Sequence, residues 1–281
     1  MNKIHSLKNF TGTLFLIFSF CVICFSQTEK VKLSTEQELQ EDLKLVPCKN
    51  EERLEAVKKL FQQMGAPEED LKIEKFKSVE NLIVTKKGKT DEIIVIGAHY
   101  DKVGDGCGAI DNWTGIVVLA NLYRTLKSFT TEKTYVFAAF GKEEIGLVGS
   151  NAMAKAIPKE KRGGYCSMVN LDSFGLTYPQ VLGNASNLKM TKMAKELATE
   201  LKLPFAAASL SGTADTDSSS FIRNDIPAIA FHGLSDKWKN YLHNSKDKLE
   251  NINTQSVFIG YRYVLGFVAK LDATECGFFR K

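Results

Sequence analysis

The stretch Gly97–Gly115, GAHYDKVGDGCGAIDNWTG, decides how this chain folds and where its chemistry lies. It follows the apolar run IIVI at residues 93–96, which predicts a buried strand. His99 and Asp101 stand at the carboxyl end of that strand, and Asp111 comes just before an apolar helical pattern. In open α/β sheets, ligands bind outside the carboxyl ends of the strands. We therefore predict a metal site with His99 and Asp111 as ligands and Asp101 behind the imidazole. The alternative is a polar loop that leads into a capped helix.

Strand and helix patterns alternate along the rest of the chain. The predicted strands lie at residues 73–76, 81–85, 93–99, 134–140, 168–171 and 226–231, and the predicted helical segments at 28–64, 113–126, 145–157, 188–201 and 254–271. Such alternation predicts an α/β fold, a three-layer αβα sandwich around a central mixed, mostly parallel β-sheet. No repeat, low-complexity tract or linker interrupts residues 27–281, so we expect a single domain there.

Residues 1–26 have the features of a secretory signal peptide. Lys3 and Lys8 give a basic start, and residues 14–25 form an apolar stretch too short to span a bilayer comfortably. The small residue Ser26 suits the position before a cleavage site. We expect a secreted or periplasmic protein with no stable membrane insertion after cleavage. An uncleaved anchor or a lipid anchor is the alternative.

The cysteines and the net charge set further bounds. The mature chain keeps four cysteines, an even number that permits three disulfide pairings in an exported protein: Cys48, Cys107, Cys166 and Cys276. The net charge of +4 is mild and the lysines are scattered, so nucleic-acid binding has no support. We expect a monomer.

Acidic and imidazole groups also follow the other core strands. Glu143 and Glu144 follow the strand at 134–140, Asp172 follows the next one, and His243 lies beyond the last. Nitrogen and carboxylate ligands suit zinc, with manganese or cobalt less favoured. Three ligand carboxylates, two divalent ions and one hydroxide would make a neutral cluster, whereas buried carboxylates without such compensation are costly. Asp111 is the candidate for bridging two ions. An ordinary polar rim on a sheet is the alternative.

Five ordered motifs resemble those of the M28 family of zinc aminopeptidases. They are GAHYD, GAIDNWTG, EEIGLVGS, NLDSFG and YLHNS, and the resemblance runs over about residues 81–253. It implies the zinc-peptidase (phosphorylase/hydrolase-like) fold. It also implies an exported aminopeptidase that hydrolyses amino-terminal residues from peptides with a free amino terminus.

The resemblance also assigns roles to residues of the site. It implies two zinc ions per chain, with Asp111 bridging, and with the remaining ligands His99 and Asp172 on one ion and Glu144 and His243 on the other. Glu143 is expected to be the general base toward a water that the two metals activate. Asp101 is expected to accept from the far nitrogen of His99, which fixes its tautomer. The peptide bond between Asp111 and Asn112 is expected to be cis.

Two other functions stay open on the sequence. Glutaminyl-peptide cyclotransferase resembles this family and uses a single zinc ion at equivalent positions. Leu242 stands where the cyclases carry Trp, which favours the peptidase. A non-catalytic, metal-stabilised binding domain is the third possibility, although it would not need Glu143.

Several residues near these motifs allow two interpretations each. His232 is expected to be structural or pocket-lining rather than a ligand. Asp217 either caps a helix or lies behind the site, and Asp247 either lies behind the site or belongs to a turn. Tyr241 either donates to a developing oxyanion or packs. Trp113 and Trp238 either line a specificity pocket or pack against a helix.

Overall fold

An eight-stranded mixed sheet forms the centre of the computed structural model, which describes residues 32–209 and 215–280. The strands are β1 Leu71–Phe76, β2 Val79–Lys86, β3 Ile93–His99, β4 Thr134–Phe140, β5 Tyr165–Leu171, β6 Gln180–Leu182, β7 Ala207–Ala208 and β8 Ala228–His232. The helices are α1 Glu36–Leu43, α2 Asn50–Gln63, α3 Thr114–Leu126, α4 Val148–Ala156, α5 Leu188–Glu200, α6 Asp217–Ile222 and α7 Thr254–Asp272.

The order of the strands places the ends of four of them together. The sheet runs β1-β2-β4-β3-β5-β8-β6-β7. Its four central strands, β4, β3, β5 and β8, are mutually parallel, whereas β1 and β2 on one side and β6 on the other are antiparallel to their inner neighbours. The carboxyl ends of the four central strands therefore lie along one edge, where polar loops meet.

Helices cover both faces of the sheet because successive strand residues point to opposite faces. Ile94 and Ile96 of β3 belong to the larger apolar cluster, which includes buried residues of α1, α2, α3, α5 and α7. Val95, between them, belongs to a second cluster with Met153 of α4 and Phe221 of α6. The three-layer α/β fold with a mixed sheet confirms the prediction from the sequence.

The structure differs from the predicted elements in places that have local causes. The segment predicted as helical at 28–64 contains two helices, α1 and α2, separated around Pro47. Proline lacks a backbone N–H and so interrupts a helix. The short strands β6 and β7 were not predicted, because a few residues do not display a period. The short helix α6 begins at Asp217, where a helix was one of the two expectations.

The predicted signal peptide at residues 1–26 lies outside the described residues, and the domain boundary at residue 27 stays a prediction. Across 32–209 and 215–280, no helix has the length and apolar character that a membrane crossing requires. The cysteines adopt one of the three pairings, Cys48–Cys107 and Cys166–Cys276.

Candidate metal centre

The predicted ligands meet at the carboxyl edge of the sheet. His99 is the last residue of β3, and Asp172 comes directly after β5. Glu144 lies in the loop that follows β4, and His243 lies in the loop that follows β8. Asp111 reaches the same point from the loop between β3 and α3, and its side chain is buried. The structure thus brings all five predicted ligands together.

Asp111 lies between the two imidazoles. Its Oδ1 is 3.1 Å from His99 Nε2, and its Oδ2 is 3.1 Å from His243 Nε2. On the first side, Asp172 Oδ1 is 3.7 Å from His99 Nε2. On the second side, Glu144 Oε2 is 3.1 Å from His243 Nε2. The result is two groups of ligand atoms that share one carboxylate.

The donor set fits zinc. Two ligand atoms on a tetrahedral zinc lie roughly 3.3–3.5 Å apart, given its bond lengths. The four contacts just described are close to that spacing, three at 3.1 Å and one at 3.7 Å. The ligand atoms of His99, Asp111 and Glu144 all lie within 4.8 Å of one another, as do those of His99, Glu143 and Asp172. Glu144 Oε1 is buried and has no hydrogen-bond partner within residues 32–209 and 215–280. A cation would satisfy that oxygen.

The electrostatics of Glu143 indicate an excess of negative charge. Burial raises the pKa of Glu143 to about 10, and the carboxylates of Asp217, Asp172 and Asp111 add to this rise against the opposing effect of His99. Burial and nearby carboxylates favour the neutral acid, whereas a bound divalent cation reverses that preference. The acidic cluster is therefore suited to binding positive charge.

The neighbouring carboxylates also raise the pKa values of the two imidazoles. Hydrogen bonding to Asp111 and Glu144 raises the pKa of His243 to about 10. Burial opposes protonation of His99, but Glu143 and the neighbouring acids outweigh it and hold the His99 pKa well above its usual range. Protons and metal ions compete for such nitrogens.

Asp101 contacts both His99 and the loop after β4. His99 Nδ1 lies 3.2 Å from the backbone carbonyl oxygen of Asp101 and 3.5 Å from its Oδ1. The Asp101 carboxylate accepts from the backbone amides of Glu143 at 2.9 Å and Glu144 at 3.2 Å. The carbonyl is thus the nearer acceptor for the imidazole, and the carboxylate holds the loop that carries both glutamates. The Asp111–Asn112 peptide bond is cis, as the resemblance implies.

Arg53 was missed by the sequence reasoning. This α2 residue is fully buried and donates to the carbonyls of Tyr100, Pro47 at 2.9 Å, Cys107 at 2.8 Å and Gly108 at 3.1 Å. Its guanidinium therefore fastens the loop between β3 and α3. A single arginine in a charged helix gives no sequence signal for such a role.

Thr216 and Ser173 orient Asp172. Thr216 Oγ1 donates to Asp172 Oδ2 at 2.7 Å, and Ser173 Oγ donates to Oδ1 at 3.0 Å. Next to Thr216, Asp217 is fully buried at the start of α6, and both of its carboxylate oxygens lack hydrogen-bond partners among the described residues. Asp217 thus lies behind the site, one of its two predicted interpretations.

A cavity of about 570 Å³ opens beside the cluster. Besides the acidic groups, its lining includes the apolar residues Leu147, Leu182, Phe231, Leu234, Trp238 and Leu242. His232 also lines it, and burial lowers the His232 pKa to about 4, so this ring is neutral. Of the two tryptophans, Trp238 lines the cavity, whereas Trp113 is fully buried. Tyr241 packs against the apolar residues at this end.

The fold and the shared carboxylate together define an α/β protein with a candidate metal centre at the carboxyl edge of its sheet. The sequence model described as "Peptidase family M28" matches residues 81–268, which is more than half of the chain. The chain therefore belongs to peptidase family M28.

Relatives and solved structures agree with this membership. A probable leucine aminopeptidase from Arthroderma otae is 28% identical over 242 residues, covering 78% of this chain and 64% of the relative. The structure of BSAP, a zinc aminopeptidase from Bacillus subtilis, matches with a TM-score of 0.61 at 24% identity, over 70% of this chain and 50% of that one. A glutaminyl cyclase from an Acidobacteriales bacterium matches with a TM-score of 0.73 at 16% identity, over 85% of this chain and 94% of that one. At these identities, both structural matches show similarity of fold alone. This chain spans less than two thirds of the fungal relative's length, so the relative's name does not establish the activity of this chain.

Proposed function

We propose that this protein is an exported, zinc-dependent aminopeptidase that hydrolyses amino-terminal residues from peptides. The observation that carries the proposal is the position of Asp111, whose two oxygens face two different imidazoles at 3.1 Å each. In the proposal, Asp111 bridges two zinc ions. The remaining ligands are His99 and Asp172 on one ion and Glu144 and His243 on the other.

Glu143 carries the proton chemistry in this proposal. Bound zinc would polarise the scissile carbonyl and lower the pKa of water. Glu143 Oε2 lies 4.0 Å from His99 Nε2, so this carboxylate reaches the ligand groups without being needed in either one. It accepts the proton of the attacking water and returns it to the leaving amine nitrogen. The Asp101 carboxylate accepts a hydrogen bond from the backbone amide of Glu143 and so keeps Glu143 in place.

The substrate class follows from the mixed lining of the cavity. A free amino terminus is a cation at neutral pH, and the acidic groups of Glu143, Asp172 and their neighbours attract it. The apolar residues that line the same cavity suit an apolar first side chain. All proposed ligands come from one chain, so a monomer suffices.

The disulfides support export. Disulfides persist in oxidising compartments and are rare in the cytosol. Both pairs of cysteines in the mature chain are bonded. This agrees with the signal peptide predicted at residues 1–26.

A panel of aminoacyl-nitroanilides tests the proposal, with zinc added in one arm and a chelator in the other. We expect release of nitroaniline, fastest for apolar residues such as leucine, with loss on chelation and recovery with zinc. A parallel arm offers a peptide with an amino-terminal glutamine. Cyclisation without nitroanilide hydrolysis would assign the protein to the cyclases, and zinc binding with neither reaction would make it a binding domain.

A further inference from the structure

We infer that Asp247 is a positioning residue that sets the distance between Asp111 and His243, and with it the site of the second zinc ion. The inference rests on the proposed two-zinc function. Asp247 is 2% exposed and lies four residues after His243, in the same loop. Its carboxylate accepts hydrogen bonds from backbone amides.

The Asp247 carboxylate holds the backbone on which Asp111 stands. Ile110 N donates to Asp247 Oδ1 at 2.6 Å, and Asp111 N donates to Oδ2 at 3.3 Å. Both oxygens are thus used on consecutive amides. An anion that accepts two amides makes charge-assisted hydrogen bonds, which are shorter and stronger than neutral ones. The position of Asp111 is therefore tied directly to the loop that carries His243.

Backbone contacts bring the same two loops together. Cys107 N donates to the Asp247 carbonyl oxygen at 2.8 Å. A Cβ on Gly106 would lie 2.7 Å from that same oxygen, and a Cβ on Gly104 would lie 2.6 Å from the carbonyl oxygen of His243. The two loops approach so closely that only glycine fits at these contacts. The two loops therefore pack tightly against each other, and the Asp247 side chain joins them.

The two groups of ligand atoms differ in how much they need this docking. His243 has a 52% exposed side chain and a φ of 59°, in the left-handed region, so it depends on its loop for placement. On the other side, His99 ends a core strand and is 1% exposed. Asp172 is oriented by Thr216 and Ser173, with no contact to Asp247. Asp111 belongs to both groups, but Arg53 and the Cys48–Cys107 disulfide still hold its loop. Loss of the Asp247 carboxylate should therefore weaken the group with His243 more than the other.

Arg53 gives a reason to expect the variant to fold. It donates to the carbonyls of Cys107 and Gly108. The Cys48–Cys107 disulfide anchors the same loop. Replacing the Asp247 side chain leaves both of these attachments, together with the backbone hydrogen bond from Cys107 N to the carbonyl oxygen of residue 247.

The test is zinc titration of purified protein by isothermal calorimetry, with wild type, Asp247→Asn and Asp105→Asn compared. Asn keeps the shape of Asp247 but cannot accept both amides. We expect two equivalents in wild type. In Asp247→Asn, one equivalent should bind within a few-fold of wild type and the other about 10–100-fold more weakly, the usual effect of losing a group that orients a ligand. Asp105 is an exposed acid in the loop between β3 and α3, which also carries Asp111. The Asp105→Asn variant should bind both zinc ions as wild type does.

A His243→Ala variant is the reference for selective loss of the second ion, and the pattern of Asp247→Asn should approach it. Circular dichroism of the zinc-free proteins checks that the variant is folded. Unchanged binding of both ions in Asp247→Asn would overturn the inference, as would equal weakening of both. An unfolded Asp247→Asn would also overturn it, because Asp247 would then hold the fold rather than one ion. A single equivalent in wild type would instead refute the proposed two-zinc centre, so the two failures are told apart by the wild-type titration.

Discussion

The Asp101 carboxylate accepts a hydrogen bond from the backbone amide of Glu143, with 2.9 Å between oxygen and nitrogen. The other oxygen of Asp101 accepts from the amide of Glu144 at 3.2 Å. One side chain at the end of β3 therefore orders the loop after β4, which supplies both the proposed base and a proposed ligand. Asp101 also contacts His99, so it links three parts of the site.

Replacing Asp101 by Ala should lower kcat by about 10–100-fold, the range found when groups that orient site residues are removed. The loss should come from misplacement of Glu143, so it should persist in protein saturated with zinc, with KM close to wild type. Steady-state kinetics with metal analysis measures this. Asp91→Ala is the control, because Asp91 is an exposed acid before β3. A full loss of zinc with no separate effect on kcat would contradict the role given to Asp101.

Glu143→Gln should nearly abolish turnover while both zinc ions stay bound. Glutamine keeps the size of the side chain but cannot accept the proton of the attacking water. A positioned general base contributes about 10²–10⁴-fold to a rate, so a loss of that order in kcat is expected. Activity within a few-fold of wild type would refute the proton role of Glu143.

Much of the site could be predicted from residues that directly follow apolar runs. His99 and Asp172 stand at the ends of core strands, and neighbouring parallel strands end at the same edge of the sheet. Their meeting therefore follows from the strand pattern alone. The α/β fold could be predicted for the same reason, since the core strands are long enough to be recognised.

The supporting contacts could not be predicted, because they join segments that are distant in the chain. Arg53 reaches Cys107 across 54 residues, and Thr216 reaches Asp172 across 44. Neither residue has a neighbour in sequence that marks its role. From the sequence, Asp247 was either a turn residue or a residue behind the site. Only the fold shows that its carboxylate accepts hydrogen bonds from the amides of Ile110 and Asp111.

Removal of zinc should lower the stability of the folded protein. A ligand at 1,000 times its Kd stabilises the native state by about 4 kcal/mol, and for a chain of this size each kcal/mol moves Tm by about 2–4 °C. A chelator should therefore lower Tm by roughly 10 °C for each zinc ion present in such excess. Differential scanning calorimetry before and after zinc is restored measures this change. A Tm that does not change when the chelator is added would contradict zinc binding by Asp111, Glu144 and Asp172.

The two disulfides should affect stability alike and zinc binding differently. Cys48–Cys107 closes a separation of 59 residues, and Cys166–Cys276 one of 110. By chain entropy, each stabilises the fold by roughly 4–5 kcal/mol at most. Cys107 lies in the loop that carries Asp111, whereas Cys166 lies near the start of β5, at the opposite end of that strand from Asp172.

Double serine variants of each pair form a matched set. Denaturant unfolding should show a similar loss of free energy of unfolding in both, since the two closed loops differ little in entropy. Zinc titration under native conditions should show an affinity about tenfold lower for the Cys48/Cys107 variant only, because its site loop loses a covalent anchor while Arg53 still holds it. Equal zinc affinities in the two variants would mean that Arg53 and Asp247 suffice to position Asp111 without the disulfide.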